Sequence, residues 1–284
     1  IENAVSAVQG QVVEAHRVAV PVTLADHREV SKFLIDCPDP ERLSAQLRQL
    51  SDQYGADIAL QSRLSRCRPY GLAVFDMDST LISCEVIDEL ARVAGVGAEV
   101  AAITERAMRG ELDFDESFRT RLALLEGLDA GAVDELADQL PVQSGLSEMA
   151  TTLKARGLRL AIFSGGFIPI AERLKNDYGF DHVVANGLEI RDGKVTGKII
   201  PPIVNREYKA EALGALASQL GIHTEHCIAV GDGANDLSMM ALAGLGVAFH
   251  AKPAVRAASP IEITHIGLDG VCYLMGHEGE FAAA

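Results

Sequence analysis

Apolar residues along this chain follow two spacings, and the change from one to the other divides it near residue 68. Before that point, RVAVPVTL (Arg17 to Leu24) and KFLID (Lys32 to Asp36) predict strands, Pro40 to Gly55 a helix, and Ala56 to Gln61 another strand. Leu43, Leu47 and Leu50 share one helical face, with Pro40 near the start and Gly55 just past the end, the punctuation helices favour. The β-β-α-β order predicts a small α+β module over residues 1–68, with Arg63 to Pro69 as linker. From Leu72 onward short apolar runs alternate with helical periods. Strands are predicted at Leu72 to Phe75, Leu158 to Phe163, His182 to Ala185, Cys227 to Val230, Gly246 to Phe249 and Ile261 to Thr264. Helices are predicted at Ser147 to Arg156, Phe167 to Tyr178, Lys209 to Leu220 and Asn235 to Ala243. Leu188 to Arg191 and Lys194 to Ile199 form a hairpin through Asp192-Gly193. This alternation predicts an α/β fold, a doubly wound parallel sheet over 69–284, with chemistry at the carboxyl ends of its strands. A strand-poor stretch at about 85–143 breaks it, with helices at Glu85 to Ala94, Gly97 to Arg109, Phe114 to Leu125 and Ala130 to Leu140. It reads as a helical cap inserted into the core.

Composition narrows the function classes. The 284 residues are 48% hydrophobic and 23% charged, the balance of a globular protein with a sizeable core. The net charge of −15 is uneven: residues 81–140 hold 14 acidic residues against five arginines and no lysine. Such a surface repels phosphate backbones and anionic headgroups, so nucleic-acid and membrane partners are disfavoured. Five irregularly spaced cysteines without a C-x-x-C fit a reduced, cytoplasmic setting, not a disulfide framework or a zinc site. No apolar run of 18 residues and no signal-peptide pattern occurs, and the absence of G-x-x-x-x-G-K-[ST] excludes a P-loop NTPase. The chain opens on Ile1 instead of Met, so residues upstream are expected to be missing.

The candidate chemistry sits where apolar runs end. Leu72 to Phe75 is followed by Asp76, Met77 and Asp78, and two carboxylates at one buried strand end demand a cation or a shared proton. Asp-x-Asp-Ser-Thr is also a common way to leave a strand and cap a helix. Ser164-Gly165-Gly166 follows the next strand as an anion site or an ordinary turn. Asp232 follows Cys227 to Val230, with Asn235 and Asp236 just beyond as further candidates or helix caps. With Asp76 and Asp78, Asp232 forms the oxygen-rich set that Mg²⁺ prefers. Lys209 is either a solvated helix residue or the cation that offsets a phosphate beside these carboxylates. Cys84 reads as a packed or partly exposed thiol, and His250 as a loop residue near the site.

FDMDSTL, SGG, Lys209 and GDGAND, in that order, resemble the four motifs of the haloacid dehalogenase superfamily. DMDSTLISCEVIDELA, ITERAMRGELDFDESFRTR, SGGF, GDGANDL and HAKP extend the resemblance to the phosphoserine phosphatases within it, over about residues 70–276. The resemblance implies that Asp76 is the nucleophile and Asp78 the general acid and base. It implies Mg²⁺ on the Asp76 carboxylate, the Asp78 carbonyl and Asp232, with Asp236 and Asn235 orienting the metal's water and the phosphate. Ser164, Gly165 and Lys209 then bind phosphoryl oxygens, Glu85 the ammonium and Arg121 the carboxylate of O-phospho-L-serine, and Met108 and Phe114 shield the site. Read without the resemblance, Glu85 is a solvated first-turn acid, and Arg121 pairs with Asp113, Asp115, Glu116 or Glu126. Two rivals remain: a related small-molecule phosphatase or phosphotransferase, and an amino-acid-binding regulatory protein with a vestigial site. The N-terminal element order resembles part of an ACT domain, a fold that binds amino acids at dimer interfaces, which implies a homodimer.

Overall fold

The computed structural model of the protein describes residues 1–18 and 29–276. The chain divides into two compact units, Ile1–Leu60 and Gln61–Ala284. In the first, helix α1 (Glu2–Ala7) precedes strands β1 (Gln11–Val18) and β2 (Val30–Asp36), which pair antiparallel, and helix α2 (Pro40–Tyr54) comes after them. Asp39 caps α2 by accepting the Arg42 N–H at 3.1 Å, and Leu43 and Leu47 bury the helix against Val5 and Val8. The strand predicted from Arg17 to Leu24 falls mostly outside the described residues. Ala56 to Gln61 is not a strand: Ile58 and Leu60 pack on the small core from an irregular chain. Alternating burial reports which side chains face a core, and no ladder hydrogen bond is implied by it.

The second unit opens with the short helix α3 (Arg63–Arg66), inside the stretch predicted as linker. Arg66 donates to the Tyr273 carbonyl at 2.8 Å, and the Tyr70 hydroxyl donates to the Ser65 carbonyl at 2.9 Å. Strand β3 (Leu72–Phe75) then enters the middle of a seven-stranded sheet. Its other strands are β4 (Arg159–Phe167), β5 (His182–Arg191), β6 (Lys194–Ile200), β7 (Cys227–Gly231), β8 (Leu245–Phe249) and β9 (Ile261–Ile263). The order is β6-β5-β4-β3-β7-β8-β9, parallel except for β6. Helices α8 (Leu146–Ala155), α9 (Ile168–Tyr178), α10 (Arg206–Gln219), α11 (Leu237–Leu242), α12 (Pro253–Ala258) and α13 (Gly270–Tyr273) cover its faces.

The period of two in these fully buried strands sorts side chains between the two faces. Ala73 and Phe75 join one core with Met149, Leu153 and Ile170 of α8 and α9. Leu72 and Val74 join the other with Leu213 and Leu216 of α10 and Met239 of α11. Asp76 continues the Leu72–Val74 parity, and its N–H still bonds to the Val230 carbonyl at 2.9 Å. The nucleophile candidate therefore leaves the sheet toward the face that α10 covers.

Between β3 and β4 the chain forms four helices, α4 (Val86–Ala94), α5 (Gly97–Met108), α6 (Phe114–Ala123) and α7 (Ala130–Asp138). The segments entering and leaving this insertion pair with each other through an Ile82–Val142 bridge, with Gln143 N–H to Leu81 carbonyl at 2.9 Å. Its α6–α7 turn is hydrogen-bonded to the β5–β6 hairpin: Gly127 and Leu128 exchange bonds with Val195 at 2.8 Å each. That hairpin turns at Asp192-Gly193 with φ of 50° and 73°, the left-handed pair that two-residue turns require. No helix among the described residues is long and apolar enough to cross a membrane.

Candidate active site

Lys209 lies in the first turn of α10, after an N-cap in which the Asn205 side chain accepts the Tyr208 N–H at 3.0 Å. Its ammonium is fully buried, 2.8 Å from Asp76 Oδ1 and 2.7 Å from Asp236 Oδ1. Burial alone would lower its pKa, and the Asp236 and Asp76 carboxylates reverse that and hold it well above the usual lysine range. Asp76 Oδ1 also accepts the Met77 N–H at 2.7 Å. Oδ2 of Asp76 has no donor among the described residues.

Asp76, Asp232 and Asp236 are buried and place one oxygen each within 4.8 Å of one another. Burial raises Asp232 to about 7 and Asp236 to about 8, and the charge of Asp76 adds to both shifts. Asp78 is also pushed well up by burial, then by Glu85 and Asp76. One lysine cannot balance this group of carboxylates. Hard oxygen donors with an excess of negative charge fit a divalent cation such as Mg²⁺.

Ser164, Gly165 and Gly166 do not form the helix N-terminus expected of them. They lie inside β4, in an irregularity between Phe163 and Phe167, and α9 starts only at Ile168. The cause is Asn186 on β5, fully buried, whose Nδ2 donates to the Gly165 carbonyl at 2.6 Å while its Oδ1 accepts the Val204 N–H at 2.8 Å. One amide thus replaces a ladder bond and ties the SGG segment to the chain entering α10. Ser164 Oγ is buried and accepts the Gly166 N–H at 2.8 Å. Gly166 has no room for a side chain: a Cβ there would lie 2.6 Å from Met77 Cε and 2.7 Å from Asp78 Oδ2.

The inserted helices bring the remaining candidates. Glu85 precedes α4, and its Oε1 accepts the Ser79 hydroxyl at 2.9 Å from a residue in the left-handed region, φ 57°. Burial raises the Glu85 pKa, Asp76 adds to the rise, and the Ser79 bond and Lys252 oppose it. Arg121 on α6 is half-buried, and its Nε has no hydrogen-bond partner. Burial lowers its pKa against the pull of Asp88, Glu85 and Asp78. None of the ion pairs expected for a structural Arg121 is formed among the described residues. Phe114 stacks on Phe118 with ring centroids 6.2 Å apart, and its Cζ lies 3.4 Å from where a Gly165 Cβ would stand. Met108 is 75% exposed at the end of α5. Asn235 is half-buried, its Oδ1 occupying the space a Gly233 Cβ would need. Cys84 is half-buried, with its thiol raised to about 11 by burial and by neighbouring acids, which leaves it unreactive. His250 is exposed on a loop, and its Nε2 meets the Ile266 carbonyl at 2.9 Å.

Three neighbours of the site escape sequence reasoning. Asn186 carries no motif signal beyond an asparagine inside an apolar strand. Ser79 is hidden within the DMDSTL string, and Lys252 within HAKP.

These strand-end carboxylates, the buried lysine and the inserted helices define a class. The chain belongs to the haloacid dehalogenase-like hydrolases, whose family model matches residues 73–241. A crystal structure of the HAD family hydrolase t0658 from Salmonella enterica subsp. enterica serovar Typhi superposes with a TM-score of 0.86 at 35% identity, covering 93% of this chain and 90% of that one. Within the class, the chain belongs to the phosphoserine phosphatases. It is 44% identical over 210 residues to the phosphoserine phosphatase of Streptococcus thermophilus, 74% of this chain and 98% of that protein. It is 46% identical over 249 residues to phosphoserine phosphatase SerB2 of Mycobacterium tuberculosis, 87% of this chain. The chain spans 60% of that relative's length.

Proposed function

We propose that this chain hydrolyses O-phospho-L-serine to L-serine and phosphate through an aspartyl-phosphate on Asp76, completing a serine biosynthetic route. The observation that carries the reading is the combination of the Lys209–Asp76–Asp236 cluster with an unpartnered guanidinium N–H on Arg121 and a held carboxylate on Glu85. The first supplies phosphoryl chemistry and the second matches the two charged ends of an amino acid.

Asp76 attacks phosphorus, and the phosphorus–oxygen bond to serine breaks as Asp78 gives its proton to the departing oxygen. Asp78 then takes a proton from water, which attacks the aspartyl-phosphate, and phosphate leaves as the Asp76 carboxylate is restored. The raised pKa of Asp78 suits both turns. Lys209, the Ser164 hydroxyl and the backbone at Gly165 hold the phosphoryl oxygens, where charge develops. Asp76, the Asp78 carbonyl and Asp232 would hold Mg²⁺, with Asp236 and Asn235 beside them. When bound, the metal neutralises charge on the phosphoryl group and on the carboxylates around it. Phe114 and Met108 would shield the site. All five cysteines are free, which suits a reduced, cytoplasmic setting.

Phosphate release from O-phospho-L-serine with Mg²⁺, beside p-nitrophenyl phosphate, tests the assignment. Asp76→Asn is expected to abolish both activities, and Arg121→Ala only the first. Wild-type protein that cleaves only p-nitrophenyl phosphate would overturn the serine assignment and leave the phosphatase core standing.

A further inference from the structure

The field that an incoming phosphomonoester meets is unfavourable. Asp76, Asp78, Asp232 and Asp236 surround the site, and residues 81–140, Glu85 among them, carry a net nine negative charges, 5 − 14. Of the cations nearby, Lys209 is fully buried between two carboxylates, and Arg121 is half-buried. Neither reaches out to a dianion in solvent.

Lys252 is placed differently. Parallel β8 ends on the same sheet edge as β3 and β7, so the loop leaving it lies beside Asp76 and Asp232. His250 turns the chain there with φ 44°. The Lys252 N–H then reaches the Asp232 carbonyl at 3.3 Å. The Lys252 side chain is exposed, and no carboxylate pairs with it among the described residues. Its charge nevertheless acts on Asp232 in the core and on Glu85 at the start of the cap, which places it between the two halves of the site. A lysine is also a poor choice locally. It is the N-cap of α12, where its side chain makes no capping bond and its charge opposes the helix dipole. A residue that breaks a local rule without a structural return is a functional candidate.

We propose that Lys252 is the entrance cation of this site: a positioning residue that draws the phosphomonoester anion through an otherwise negative mouth and hands it to Lys209 and Arg121. The inference rests on the phosphatase reading above. It concerns capture and not the chemical step, so it belongs in kcat/KM.

The test is kcat and kcat/KM for O-phospho-L-serine in wild type, Lys252→Gln, Lys252→Arg and Lys252→Glu, across salt from about 0.02 M to about 0.3 M. The backbone N–H that bonds Asp232 survives all three substitutions. Lys252→Gln is expected to lower kcat/KM about fivefold at low salt with kcat unchanged, and Lys252→Glu to lower it further. Lys252→Arg should stay near wild type, and the deficits should shrink as salt rises. A deficit that ignores salt, a fall in kcat, or an arginine variant as weak as the glutamine one overturns the proposal. If wild type turns over p-nitrophenyl phosphate and not O-phospho-L-serine, the serine assignment fails instead, and the same salt series on p-nitrophenyl phosphate still decides the role of Lys252.

Discussion

Lys209 contributes one positive charge to a space where Asp76, Asp232 and Asp236 contribute three carboxyl groups. Without a metal, protons must supply the balance, and the raised values of about 7 for Asp232 and about 8 for Asp236 express that. An unfolded aspartate titrates near pH 3.9. A carboxyl raised in the folded state contributes stability that is fully present below that value and lost as pH climbs through the folded pKa. The metal-free protein therefore loses this contribution between about pH 4 and about pH 8. Mg²⁺ competes with the same protons, so the stabilisation it gives, about 2.7 kcal/mol at a hundred times its Kd, should grow across the upper part of that range. Calorimetric melting with Mg²⁺ and with EDTA checks it: the gain in Tm is expected to rise from about pH 6 to about pH 8 in wild type, and to be smaller and rise less steeply in Asp232→Asn, where Asp236 alone still titrates in that range. A gain independent of pH in wild type would refute the account. Asp76 and Asp232 are legible in the sequence because each stands at the end of an apolar run, and Asp236 because it follows Asp232 in GDGAND. Asn186 is not, because its two hydrogen bonds join β4 to the α10 entry across the sheet, and neither partner is near it in sequence.

Four helices of this chain are announced by their caps, although α10 begins at Arg206, three residues before the predicted Lys209. Asp39, Asp113, Asp129 and Asn205 each accept a backbone N–H in the first turn of their helices, so the polar residue before each apolar period marks a real boundary. Strand ends lack such a marker. His182 to Ala185 and Leu188 to Arg191 look like two strands because Asn186-Gly187 interrupts the apolar pattern, yet β5 runs through both. The asparagine is buried in the strand to serve the SGG segment. Asn205 shows how a cap can bind elements together: its Oδ1 caps α10 while its Nδ2 donates to Asp115 Oδ1 on α6 at 3.1 Å. Asn205→Ala should cost about 1 kcal/mol from the cap alone, a fall of about 2–4 °C in Tm. The Asp115 bond adds a second effect, a raised KM, since α6 also carries Arg121. Asn205→Asp should keep the cap and still raise KM, because a carboxylate cannot donate to Asp115. A KM unchanged in both variants would show that this tie does not position α6.

At the scale of the whole molecule, three hydrophobic clusters hold all the buried apolar residues described except Ile103, Ile203 and Val204, and the division between units passes through none of the clusters. Ala4, Val5, Val8, Leu43 and Leu47 form the core of Ile1–Leu60, while the two clusters on the faces of the seven-stranded sheet draw only on residues from Tyr70 onward. Each unit thus has its own reason to fold. Every candidate for the chemistry, from Asp76 to Lys252, lies in the second unit. The phosphoserine phosphatase of Streptococcus thermophilus is matched over 98% of its own length by only 74% of this chain. Removing residues 1–60 should therefore leave a cooperatively melting protein with kcat on O-phospho-L-serine within about twofold of the full chain, the range of context dependence for distant, independent parts. Steady-state kinetics and melting of the 61–284 fragment measure both. A fragment that melts cooperatively yet has lost kcat would mean that Ile1–Leu60 acts on the site directly. Retained kcat with an altered response to added L-serine would instead place an amino-acid-sensing role in the first unit, the part of the chain whose sequence pattern resembles an ACT domain.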